Sequence, residues 1–138
     1  MVTLILGKSG SGKTRLLIED ANKEKARGNG NIVFIDTDDK HIFTLDYTVR
    51  LINAKNFGID SIESLYGFVA GIVSRDYDIE KVYLDGLYHL VEFDNEGIQK
   101  LVSRFNELSK NSNVEILLGL DQEESDLPEG IEAEIKVL

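Results

Sequence analysis

Residues 2–14 read VTLILGKSGSGKT, an apolar run that breaks at Gly7 into a stretch of small residues and ends on Lys13 and Thr14. The spacing GxxxxGK[ST] is met by Gly7, Gly12, Lys13 and Thr14. Glycines let successive backbone N–H groups turn inward around an anion, and a helix that follows offers its unpaired N-terminal donors and positive dipole end to the same anion. Lys13 is placed to reach the β- and γ-phosphates of a nucleotide, and the Thr14 hydroxyl to ligate Mg²⁺. The expected ligands are therefore ATP and Mg²⁺. The expected nucleotide-contacting set is Gly7, Lys8, Ser9, Gly10, Ser11, Gly12, Lys13, Thr14 and Arg15.

The rest of the chain alternates between two periodicities. Residues 13–27, KTRLLIEDANKEKAR, read as a helix that stops at Gly28, Asn29 and Gly30. Residues 31–36, NIVFID, form a continuous apolar run that suits a buried parallel strand. Residues 50–54 suggest a short strand at a sheet edge. Residues 61–77 repeat apolar positions at helical spacing behind Ser61, and Gly67 and Gly71 are expected to let that helix pack closely on a sheet. A strand over 81–87 (KVYLDGL), a helix over 94–110, a strand over 114–120 (VEILLGL) and a last strand over 133–138 complete the series. The alternation predicts one domain over 1–138, a doubly wound three-layer α/β/α fold with a mainly parallel sheet of five to six strands. Ligands of such sheets bind at the carboxyl ends of the strands, where Asp36, Asp85 and Asp121 each close an apolar run.

Asp85 is the expected partner of Thr14 at the metal. Hydrolysis also requires a group that handles the attacking water, and Gly86 stands where a glutamate would do so in many phosphate-cradle ATPases. Asp36, Asp38 and Asp121 are the candidates. His41 and His89 have no ligand-like spacing and read as ordinary polar contacts, while Tyr77, Tyr83, Tyr88 and the phenylalanines read as core and rim.

Composition narrows the function. Fifteen Lys and Arg against 25 Asp and Glu give a net charge of −10, the wrong sign for a nucleic-acid surface. There is no cysteine, no secretory leader pattern and no apolar run long enough to span a bilayer, so a cytoplasmic protein without membrane insertion is expected. An Asn-Lys-x-Asp-like base-reading motif is also absent, which makes ATP the default over GTP.

Gly7 to Thr14 together with Asp85 resemble the Walker A and Walker B elements of P-loop NTPases, over nearly the whole chain. FIDTDD at 34–39 and NSNVEILLGLD at 111–121 are similar in placement to RecA-type ATPases. That likeness implies strand order 3-2-4-5-1-6, with Asp38 in the water-activating place and Asp121 in the phosphate-sensing place. GKSGSGKT followed by VFIDTDD is also similar to the ParA/MinD group, which implies that Lys8 reaches a partner subunit's nucleotide and that Asp36 handles water. As a whole the chain resembles short bacterial P-loop ATP-binding proteins. The implied function is a weak ATPase acting as a nucleotide-dependent switch. Arg15, Arg75 and Arg104 supply no obvious in-cis arginine finger, so a protein partner or a second copy of the chain is expected to complete the site. The alternatives are a small-molecule kinase, which the acidic, Lys- and Arg-free stretch 119–130 disfavours as a lid, and a non-hydrolysing ATP-binding module.

Overall fold

In the computed structural model, which describes residues 1–28 and 30–138, the chain runs β1 (Thr3–Leu6), α1 (Lys13–Arg27), β2 (Asn31–Asp36), β3 (Arg50–Asn53), α2 (Ile62–Arg75), β4 (Ile79–Leu84), α3 (Asn95–Ser112), β5 (Glu115–Leu120) and β6 (Glu134–Val137). Asn29, within the expected stop of the first helix, lies outside the described residues. The six strands form one open sheet in the order β3-β2-β4-β5-β1-β6, and every neighbouring pair is parallel. This is the order that the likeness to RecA-type ATPases implied, in a sheet that is wholly rather than mainly parallel.

Strand side chains alternate between the two faces, and the core divides accordingly. Leu4 and Leu6, Val33 and Ile35, Val82 and Leu84, and Ile116 and Leu118 lie on the face covered by α2 and α3. Ile5, Ile32, Phe34, Tyr83 and Leu117 lie on the other, beneath Leu17, Ile18 and Ala21 of α1. Leu45 and Val49 join this second core, which anchors the loop 37–49 beside α1. The result is three layers, α/β/α.

Local chemistry sets the helix ends. The Ser61 hydroxyl accepts the Ser64 amide and the Ser64 hydroxyl accepts the Ser61 amide, each at 3.0 Å, so α2 opens with a reciprocal cap. Asp94 caps α3 by accepting the Gly97 amide at 2.7 Å. Two local expectations are corrected. Gly67 and Gly71 are exposed, and a Cβ added at either meets nothing within 4 Å, so they do not serve close packing on the sheet. The strand expected over 81–87 is shifted toward the N-terminus and ends at Leu84, because Gly86 adopts φ 71° and turns the chain into a 3-10 turn at Leu87–His89. No helix among the described residues is long and apolar enough to cross a membrane.

Candidate functional site

Because all strands run the same way, the carboxyl ends of β1, β2, β4 and β5 share one edge of the sheet, and the candidate residues collect there. The loop after β1 starts with the Gly7 amide bonded to the Leu120 carbonyl at 3.3 Å and turns through Ser11 N–H to Lys8 C=O at 3.0 Å. Gly10 and Gly12 have φ of 85° and 101°, values that side-chain-bearing residues resist. Gly12 is also the N-cap of α1. It offers no side chain to the first-turn amides, and that turn contains no acid. The N-terminal donors of α1 therefore face the loop's concavity without an internal side-chain cap.

Lys13 is 4% exposed. Its ammonium donates to the carbonyls of Gly7 and, at 3.1 Å, Lys8. Such partners take two of its three N–H groups without neutralising its charge, so the buried cation stays available to an anion. One residue on, Thr14 Oγ1 donates to Asp85 Oδ2 at 2.7 Å. The Asp85 amide bonds to Ile35 C=O at 2.9 Å, which fixes this carboxylate just past β4 and next to the end of β2.

Asp36 and Asp85 are both buried, at 5% and 4% exposure. Burial pushes the Asp36 carboxyl up to about 6, helped by the neighbouring charges of Asp85 and Asp38 and opposed by the Thr37 amide, which it accepts at 2.6 Å, and by His41. Burial likewise raises Asp85, against the Thr14 hydroxyl, His41 and Lys13. Asp38 is only half-buried and is engaged within its own loop, accepting the Lys40 amide at 2.9 Å with Lys40 Nζ at 3.8 Å. Asp121 touches the cradle from the β5 side, accepting the Ser9 amide at 3.0 Å. The side chains of Lys8 and Arg15 extend into solvent, Lys8 toward Glu123 at 3.7 Å and Arg15 onto Glu19 at 3.1 Å. The structure thus gathers the cradle, Lys13, Thr14, Asp85, Asp36 and Asp121, and leaves Asp38, Lys8 and Arg15 at the margin.

Among the described residues no group of three or more His, Asp or Glu side chains is arranged to hold a metal ion unaided. The Thr14–Asp85 pair fits a hard cation that takes most of its oxygen ligands from phosphate and water, as Mg²⁺ does at nucleotide sites.

An open cleft of about 770 Å³ runs from the cradle along α1, between Ile18, Glu19 and Asn22 on one side and Lys40, His41 and Thr44 on the other, with Tyr88 at its head. Asn22 ties the two walls together, donating to Thr44 C=O at 3.0 Å and accepting the Asp46 amide at 2.7 Å. Tyr88 and His41 are the site residues that sequence reasoning missed. Tyr88 is not simply a rim residue, since its ring lies 5.8 Å from Lys13 Nζ. Nor is His41 remote, since its charge acts on both Asp36 and Asp85. The available signal was the segment DGLYH itself, in which a glycine follows the strand-ending acid and lets the chain fold back over the strand ends.

No protein-family model matches the chain, and no curated protein matches it.

Proposed function

We propose that the protein binds Mg·ATP at the Gly7–Thr14 loop and hydrolyses it slowly, the nucleotide state being read by a protein partner. The observation that carries this reading is the buried, carbonyl-held Lys13 ammonium at the uncapped start of α1, beside the Thr14–Asp85 pair. That arrangement supplies backbone donors, one fixed positive charge and a cation-binding oxygen pair within a few residues of one another.

Thr14 and Asp85 would hold Mg²⁺, which neutralises charge on the β- and γ-phosphates. Lys13 would swing from the Gly7 and Lys8 carbonyls onto the terminal phosphates. Asp36 is better placed than Asp38 to take a proton from water: it is buried beside Asp85, and a carboxyl near 6 is a stronger base than an ordinary aspartate. With Gly86 after Asp85 and the Arg15 guanidinium held on Glu19 at 3.1 Å, charge stabilisation in the transition state is incomplete, which makes hydrolysis slow. The cleft along α1 supports a second reading. It extends roughly 14 Å from Lys13 to Asn22, at 1.5 Å per residue, a length that either the nucleoside part of ATP or an acceptor other than water would fill, and the second case would make the protein a small-molecule kinase.

Release of γ-phosphate from Mg·ATP by wild type and Lys13→Ala tests the proposal, with ADP production repeated in the presence of candidate nucleoside and nucleotide acceptors. Slow turnover lost in Lys13→Ala is expected. Rapid turnover that survives the substitution would sink the reading, and stimulation by an acceptor would favour the kinase.

A further inference from the structure

We propose that Tyr88 contacts the terminal phosphate of the bound nucleotide, its hydroxyl donating a hydrogen bond to a γ-phosphate oxygen. The inference rests on the Mg·ATP reading above and adds to it a side-chain contact with the γ-phosphate.

The argument begins with backbone geometry. Gly86, at φ 71°, reverses the chain immediately after Asp85, and Leu87, fully buried, pins the resulting turn into the core. The turn is closed by the His89 amide on the Gly86 carbonyl at 3.0 Å, and the Tyr88 ring stands against the His89 ring with centroids 4.5 Å apart. Tyr88 is thereby directed back across the strand ends into the head of the cleft, with its ring 5.8 Å from Lys13 Nζ. It sits close enough to Asp121, Asp85 and Asp36 for all three charges to act on its hydroxyl. These acids end β5, β4 and β2, and Tyr88 follows Asp85 by three residues, so its ring lines the cleft beside the strand ends. A phosphate that meets both Lys13 and the Thr14–Asp85 pair would lie within reach of this ring's edge, since Lys13 Nζ is 5.8 Å from its centre.

The hydroxyl suits the task. Burial and the three carboxylates raise its pKa, so it stays protonated and serves as a donor. The other tyrosine on this stretch, Tyr83, spends its hydroxyl on Asp20 at 2.5 Å, whereas no hydrogen bond acts on the hydroxyl of Tyr88 among the described residues. In hydrolysis the water oxygen bonds to the γ-phosphorus as the bond from phosphorus to the β,γ-bridging oxygen breaks. The electron pair leaves on ADP, the water proton passes to the Asp36 carboxylate and then to solvent, and Tyr88 keeps its proton throughout. Its donor meets charge on the equatorial oxygens, where negative charge is spread in the transition state.

Tyr88→Phe removes the hydroxyl and retains the ring contacts with Lys13 and His89, so it isolates the proposed bond. Calorimetric dissociation constants for ATP and for ADP, both with excess Mg²⁺, are to be measured in wild type, Tyr88→Phe and Lys13→Ala. A hydrogen bond to a charged group corresponds to about a 10-fold loss of ATP affinity in Tyr88→Phe, with ADP affinity unchanged. An unchanged ratio of ATP to ADP affinity, or an equal loss for both nucleotides, would overturn the assignment while leaving the nucleotide reading intact. ATP binding that is equally tight in Lys13→Ala would overturn the nucleotide reading and the assignment with it.

Discussion

Asp36 and Asp85 place two carboxyls side by side under the surface, and in the ligand-free protein that arrangement is a strain on the fold. A carboxyl whose pKa is raised by folding binds its proton more tightly in the folded state. Folding is therefore helped while Asp36 is protonated, and that help is lost as pH rises from 3.8, its ordinary value, to about 6. Asp36→Asn should flatten the dependence of stability on pH across this window and stabilise the protein above it by about 3 kcal/mol at most, since the rise from 3.8 to about 6 is worth about 1.4 kcal/mol for each pH unit. Urea denaturation midpoints measured from pH 4 upward check this, and a steeper dependence in the variant would contradict it. The same carboxylates were legible in the sequence because each closes an apolar run. Tyr88 and His41 were not, since their arrival at the site depends on the reversal at Gly86 and on the anchoring of the loop 37–49 by Leu45 and Val49, which no periodicity encodes.

The helix that carries the cradle is fastened to the sheet at its far end by a charged cluster. Lys81 of β4 is nearly buried and lies 2.9 Å from Asp20 and 3.5 Å from Glu24 of α1, and 3.4 Å from Glu115 of β5. Burial by itself would raise the Asp20 carboxyl, but the Tyr83 hydroxyl and Lys81 together hold it below its usual range. Lys81→Ala would leave the half-buried Asp20 and Glu24 without their shared cation, and the expected cost is about 1–2 kcal/mol in chemical denaturation, between that of an exposed pair and that of a buried one. A loss under about 0.5 kcal/mol, the range of ordinary surface substitutions, would mean that the cluster does not fasten α1. At this scale the boundaries of α1 could be read directly, because its apolar stripe is bounded by glycines at both ends. In α2 the buried stripe is Ile62, Leu65, Val69 and Val73, and the glycines lie on the opposite side. Small residues at helical spacing fit a packing stripe and a solvent face equally well, so their orientation was not legible. The strand over 81–87 was drawn too far toward its C-terminus for a related reason, since apolar Leu87 belongs to the core through a turn rather than through the ladder.

Across the whole molecule, parallel strand order turns scattered sequence features into one site. β1 lies between β5 and β6, with β4 beyond β5 and β2 beyond β4, so the cradle, Asp121, Asp85 and Asp36 succeed one another along the same edge. In a chain of net charge −10, the cleft at that edge is lined by Lys13, Arg15, Lys40 and Glu19, with Arg15 on Glu19, Lys40 near Asp38, and Asp36, Asp85 and Asp121 close to its head. The buried Lys13 ammonium, held by carbonyls alone, is the charge that would meet a compact anion, with a cation on the Thr14–Asp85 pair offsetting the acids, whereas the overall charge repels a polyanion such as nucleic acid. Titration of Mg·ATP into the protein by calorimetry, with Lys13→Ala alongside, tests the central claim most directly. One-to-one binding is expected, weakened about 100-fold by removal of the buried ammonium, the upper range for a charge-assisted contact. No binding by wild type, or equal binding by both proteins, would contradict the account.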